Sequence, residues 1–125
     1  MKKEKRILIV DDDRLSVMAL KKILGNHDFK TFCAYNGNEA LESLSENPDI
    51  NIILLDLVMP ELNGIKTFSK LKTNEKFKDI PIIVLTARVL KEEKEWLEKN
   101  GCFAYLEKPF DMEKLFELIN QLYLN

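Results

Sequence analysis

Five short apolar runs alternate with amphipathic stretches along this chain, and that alternation limits the fold more than any other feature. The runs are Ile7–Val10, Thr31–Ala34, Ile50–Leu55, Ile80–Leu85 and Ala104–Leu106. The first, third and fourth are apolar almost throughout, with no polar residue at every second place, as in parallel strands covered on both faces. Helical spacing fills the gaps. Val17, Leu20 and Leu24 fall at i, i+3 and i+7, and Leu115, Leu118, Ile119 and Leu122 repeat the pattern. Ala40, Leu41 and Leu44 mark a shorter helix, as do Ile65, Phe68 and Leu71. Asn38 and Asp111 are predicted N-caps, and Gly25 and Gly101 are predicted C-terminal stops. Regular strand–helix alternation predicts a doubly wound α/β fold with right-handed crossovers and helices on both faces of a parallel sheet.

No linker, repeat or low-complexity segment interrupts the pattern, so 1–125 is predicted to be a single domain with one core. The balance of 46% hydrophobic and 32% charged residues is that of a globular chain. A net charge of −2 gives no electrostatic footprint for direct nucleic-acid binding. Lys66, Lys70, Lys72, Lys76 and Lys78 alternate with apolar positions and read as a solvated helix face. Cys33 and Cys102 fit neither a metal spacing nor a disulfide framework, and read as buried free thiols in a reducing compartment. The opening "MKKEKRILIVDDD" has too short an apolar segment for a signal peptide, and no apolar run is long enough to span a membrane. A cytoplasmic protein without membrane association is expected.

One helical stretch is poor in anchors. "VLKEEKEWLEKNG" offers Val89, Leu90, Trp96 and Leu97 among lysines and glutamates. At about 25 cal/mol per Å² its burial holds it weakly, which makes it a candidate to move.

The polar residues that follow the strands point to a site. In an open α/β sheet, ligands bind beyond the carboxyl ends of the strands, near the reversal of strand order. Asp11, Asp12 and Asp13 follow the first run and Asp56 follows the third. The fourth ends at Thr86, and the fifth leads through Tyr105 and Glu107 to Lys108-Pro109. Asp13 alone reads equally well as a helix cap. The joint placement is the informative part. Crowded carboxylates repel one another, and a hard divalent cation such as Mg²⁺, held by one or two carboxylates plus a phosphate, removes that conflict. A cation, a lysine and a hydroxyl around one carboxylate suit formation of an acyl phosphate on that carboxylate. Asp56, where a buried strand surfaces, is the candidate nucleophile.

The motifs "ILIVDDD", "LLDLVMPELNG", "IPIIVLTA" and "YLEKPF", in this order and spacing, resemble the receiver domain of bacterial two-component response regulators over essentially the whole chain. That resemblance implies a CheY-like, flavodoxin-like fold of five parallel strands in order 2-1-3-4-5 with five helices. It implies Asp56 as phosphoacceptor, Asp12 as direct Mg²⁺ ligand, Asp11 as a ligand through water, and the backbone carbonyl of Val58 as a further ligand; Mn²⁺ could substitute. Thr86 would contact the phosphoryl group, Lys108 would pair with it, and Thr86 and Tyr105 would form the switch. The Lys108–Pro109 bond is expected to be cis, an arrangement that in folded chains usually marks a functional tight turn. Val58 and Arg88 occupy positions that tune phosphoryl lifetime in the family. The implied partners are a histidine kinase or histidine phosphotransfer protein and a downstream effector that reads the fourth helix, fifth strand and fifth helix. The domain would not be an enzyme in the usual sense, but a phosphoacceptor that catalyses its own aspartyl phosphorylation and dephosphorylation.

Other readings fit less of the chain. A haloacid-dehalogenase-like phosphatase would use Asp11 and Asp13, but Leu15 stands where a Thr or Val is expected. No paired acids follow Lys108, and Asp56 is left unexplained. A phosphate-independent interaction module would show a decayed acceptor constellation. A flavin binder would set its phosphate against the strand-end acids. No effector pattern follows the last helical stretch, which runs to near Leu124. A stand-alone receiver and a piece of a larger regulator or hybrid kinase both agree with that.

Overall fold

Strands and helices follow one another in the order the hydrophobic pattern predicts. The computed structural model describes residues 4–57, 64–87 and 90–123. The strands are β1 (Arg6–Val10), β2 (Lys30–Ala34), β3 (Ile52–Leu55), β4 (Ile82–Thr86) and β5 (Ala104–Glu107). The helices are α1 (Arg14–Gly25), α2 (Gly37–Glu46), α3 (Gly64–Thr73), α4 (Lys91–Lys99) and α5 (Met112–Tyr123). All strand pairs are parallel, in the order β2-β1-β3-β4-β5. Val10 lies opposite Ala34 on one side and Leu55 on the other, so the ends of β1, β2 and β3 come level.

Successive strand residues point to opposite faces, and here both faces are covered. Leu8, Val10, Ile53, Leu55, Ile82 and Val84 pack with Ala40 and Leu44 of α2, Phe68 and Leu71 of α3, and Leu97 of α4. Ile7, Ile9, Ile52, Leu54, Ile83 and Leu85 pack with Val17 and Leu24 of α1 and Leu115 and Ile119 of α5. Residues 7–10, 52–55 and 82–85 of the central strands are therefore apolar at every position because every position is buried.

Boundaries differ from the expectation where burial outlasts the ladder. Ile50 is buried, but its N–H bonds to Asn47 in a turn, and β3 begins at Ile52. Ile80 likewise bonds back to Phe77, Pro81 lacks an N–H, and β4 begins at Ile82. The N-cap of α2 is Asn36 and not Asn38. Asn36 is extended at φ −158° and its side chain accepts from the Glu39 N–H at 2.9 Å, which leaves Asn38 exposed inside the first turn. Asp111 precedes α5, and its carbonyl accepts from Lys114 and Leu115. Gly25 closes α1, but the left-handed residue after that helix is Asp28, at φ 66°. Gly101, at φ 89°, does take the left-handed conformation behind α4, as a glycine after a C-cap should. Val89 and Leu124 lie outside the described residues. Cys33 and Cys102 are free and half-buried.

Candidate functional site

The site is assembled where β1, β3, β4 and β5 end together. The Asp11 N–H bonds to the Ala34 carbonyl at 3.1 Å and the Asp56 N–H to the Val10 carbonyl at 2.9 Å, so both aspartates continue the ladder by one step. That pairing sets them side by side on neighbouring strands, both nearly buried. Asp12, next in the chain, is exposed. A carboxylate oxygen from each of Asp11, Asp12 and Asp56 lies within 4.8 Å of the other two.

Lys108 reaches this cluster from β5. Its N–H bonds to the Thr86 carbonyl at 2.7 Å and the Lys108–Pro109 peptide bond is cis, as expected. The Lys108 Nζ donates to Asp11 Oδ2 at 2.8 Å and lies 3.6 Å from Asp56 Oδ2. Burial alone pushes the Lys108 ammonium toward losing its proton. The hydrogen bond to Asp11 and the charges of Asp56 and Asp11 outweigh that, and its pKa ends above the ordinary lysine value. Thr86 is fully buried at the end of β4.

Asp13 stands in the sequence beside this cluster, yet its side chain serves the helix. It is the N-cap of α1: Oδ1 accepts from the Leu15 N–H at 3.1 Å and Oδ2 from the Ser16 hydroxyl at 2.8 Å. The Ser16 hydrogen bond is the main reason its pKa is lowered. Its own N–H donates to Asp11 Oδ1 at 2.9 Å. Both Asp11 oxygens are thus engaged, one by Asp13 and one by Lys108.

Gly64 is a requirement of the same edge. Its N–H bonds to the Leu57 carbonyl at 2.7 Å, and a Cβ at Gly64 would stand 2.2 Å from Leu57 Cα and 2.5 Å from the Asp56 carbonyl oxygen. Only glycine lets α3 begin this close to the end of β3. The final glycine of the "LLDLVMPELNG" motif carries that signal in the sequence. Two other contacts had no local signal: the Arg14 guanidinium 4.0 Å from the Tyr35 ring centre, and the Lys94 ammonium 5.4 Å from that of Tyr105. Val58 and Arg88 lie outside the described residues.

Of the expected site residues, Asp11, Asp12, Asp56 and Lys108 converge, with Thr86 bonded through its carbonyl to the Lys108 backbone. Tyr105 sits apart from the carboxylates, half-buried on β5 opposite Val84. Residues 7–120 match the response regulator receiver domain family. The chain belongs to that family.

Its relatives match it over most of its own length. It is 34% identical over 117 residues to the probable transcriptional regulator ycf29 of Pyropia yezoensis, covering 94% of this chain and 52% of that protein. It thus spans about half of that relative's length. It is 32% identical over 116 residues to the polar-differentiation response regulator DivK of Brucella anthropi, covering 92% of this chain and 93% of that protein. The crystal structure of a response regulator receiver protein from Pseudomonas putida superposes with a TM-score of 0.91 at 26% identity, covering 97% of this chain and 99% of that one. The Vibrio cholerae chemotaxis protein CheY4 shares the fold, with a TM-score of 0.87 over 95% of this chain and 98% of that one at 24% identity. Receivers are signalling phosphoacceptors of two-component systems that work with kinases, phosphotransfer proteins and effectors, and they bind Mg²⁺ through acidic residues. Among the described residues, no helix is long and apolar enough to cross a membrane.

Proposed function

We propose that this receiver takes a phosphoryl group onto Asp56, in a Mg²⁺-dependent transfer from a phosphohistidine of a histidine kinase or phosphotransfer protein in the cytoplasm. The observation that carries the reading is the convergence of three carboxylates within 4.8 Å, faced by the ammonium of Lys108. Three negative charges against one positive charge suit a hard divalent cation. Asp12, exposed beside the cluster, and Asp56 would hold it directly. Asp11, with both oxygens already engaged, would act through water. A carbonyl ligand from Val58 belongs to the same proposal. When bound, the ion supplies positive charge to the phosphoryl oxygens.

Asp56 Oδ attacks phosphorus, the phosphorus–nitrogen bond to the imidazole breaks, and an aspartyl acyl phosphate forms. Lys108, already 3.6 Å from the Asp56 carboxylate, meets the charge on the transferred group. The Thr86 hydroxyl donates to the same oxygens from the end of β4. Its movement and rotation of the Tyr105 ring carry the change to α4, β5 and α5, the surface an effector reads. The donor docks over α1, where Leu15 and Met18 are 77% and 63% exposed. Beside them a cleft of about 310 Å³ opens between Leu20 and Ile23 of α1 and Phe110 and Met112, with Asp56 in its wall.

Purified protein with Mg²⁺ and acetyl phosphate or phosphoramidate should gain one phosphoryl adduct by intact-mass analysis, and Asp56→Asn should gain none. An unmodified wild type, under conditions that label another receiver, would overturn the assignment.

A further inference from the structure

α4 has few ways to hold on to the sheet. Its only fully buried residue is Leu97. Trp96 meets Phe68 of α3 edge-on at 5.6 Å. The third attachment is Lys94, whose Nζ lies 5.4 Å from the Tyr105 ring centre, inside the distance of about 6 Å at which an ammonium is drawn to a ring face. Glu92, Glu93, Glu95 and Glu98 share the helix, yet the ring on β5 is the partner Lys94 takes. Tyr105 lies opposite Val84 in register, and Thr86, two residues further on, shares the face of Val84 by strand alternation. Val84, Tyr105, Trp96 and Leu97 pack in one cluster. Lys94 therefore sits on the ring that stands two register positions from the buried Thr86 of the phosphoacceptor site.

We propose that Lys94 is the clamp that sets the resting balance of the output surface: its ammonium–ring contact with Tyr105 ties α4 to β5 and breaks when the ring turns toward Thr86. This rests on the phosphoacceptor reading above. A contact made in only one arrangement shifts the equilibrium by its own strength and no more. For a partly exposed cation and ring that is about a two- to five-fold effect. The consequence is particular to this chain. The threshold for switching depends on a lysine charge on a helix otherwise held by one buried leucine and the edge of a tryptophan.

The test is a titration with beryllofluoride and Mg²⁺, following bound fluoride by ¹⁹F NMR and Trp96 by fluorescence. Lys94→Met, which keeps the apolar stem and removes the charge, should lower the half-saturating beryllofluoride concentration about two- to five-fold. Lys94→Arg, which keeps a cation over the ring, should stay at the wild-type value. In a Tyr105→Leu background, Lys94→Met should have no further effect. An unchanged midpoint in Lys94→Met, or the same shift with and without Tyr105, overturns the clamp while leaving the phosphoacceptor reading intact. A wild type that binds no beryllofluoride at Asp56 removes both.

Discussion

The two helices that flank β5 are attached to the same sheet in very different ways. α5 runs for 12 residues and buries Leu115 and Ile119, with Phe116, Leu118, Leu122 and Tyr123 packed against the same cluster. Its Phe116 ring stacks with Phe29 and meets His27, and the Tyr123 hydroxyl donates to Asn51 Oδ1 at 2.6 Å. α4 runs for 9 residues and buries Leu97 alone. Leu90 before it is 45% exposed, and the first turn is closed by a hydrogen bond from the Leu90 N–H to the Glu93 carboxylate. One strand thus has a firm neighbour on one face of the sheet and a light one on the other. Elements that move are drawn from the low-stability end of a structure. The ordering energy lies in α5 and the central strands, and α4 is the more lightly held element beside the carboxylate edge.

The largest effect that tests this contrast is a cavity in each helix. Leu115→Ala should cost about 4 kcal/mol, because a site enclosed by α5, α1 and the sheet cannot collapse. Leu97→Ala should cost about 2–3 kcal/mol, since a lightly held helix can settle into the space. Urea unfolding of both variants without Mg²⁺ checks it. Equal costs would mean that α4 is as rigidly seated as α5 and would break the comparison.

Next in size is the response to metal. The carboxylates of Asp11, Asp12 and Asp56 repel one another, and an ion that binds only the folded form relieves that. At about 100 times the dissociation constant the gain is about 2.7 kcal/mol. Amides of α5 that exchange only through global unfolding should slow by that whole amount when Mg²⁺ is added. Amides of α4 that exchange through local opening should slow far less. Asp12→Ala should abolish the α5 response and leave the metal-free protein equally or more stable. If Asp12→Ala kept the full Mg²⁺ response, Asp12 is not a principal ligand.

The contrast also explains what was legible in the sequence. Buried parallel strands and helices spaced at i, i+3 and i+7 are local patterns, so Ile7–Val10 and the Val17–Leu24 spacing announce themselves. Of the extra residues assigned to β3 and β4, Ile50 is buried and Ile80 partly buried in turns, and composition does not separate burial from a ladder. Asn36 and Asn38 both precede apolar helix positions, and only the backbone at Asn36 shows which one caps. The candidate site was visible because strand ends deliver their next residue to one edge. Its hydrogen bonding was not. That Lys108 rests on Asp11 in preference to Asp56 depends on a contact between residues 97 apart in sequence. The pairing of Lys94 with Tyr105 needs two elements packed together, and neither residue signals it alone.

The smallest effect concerns the far end of α5, away from the site. Burial pushes the Tyr123 phenol up to about 12, from an ordinary value of 10.0. A folded pKa above the unfolded one means the native state holds its proton more tightly. That contribution is fully present below pH 10 and is lost as the pH rises from about 10 toward about 12. The same hydroxyl donates to Asn51 Oδ1, which also accepts from the Arg6 N–H at 3.1 Å, so it ties the end of α5 to the start of β1 and the approach to β3. Tyr123→Phe keeps the ring and removes the hydroxyl. At neutral pH it should cost about 1 kcal/mol, the net worth of one hydrogen bond. Between pH 10 and 12 the wild type should lose stability relative to the variant, which has no phenol to ionise, so the neutral-pH difference should shrink across that window. Urea midpoints at neutral pH and at several points across that window measure both. A constant difference across the window would show that the folded and unfolded phenols ionise alike, so that burial does not hold the Tyr123 proton.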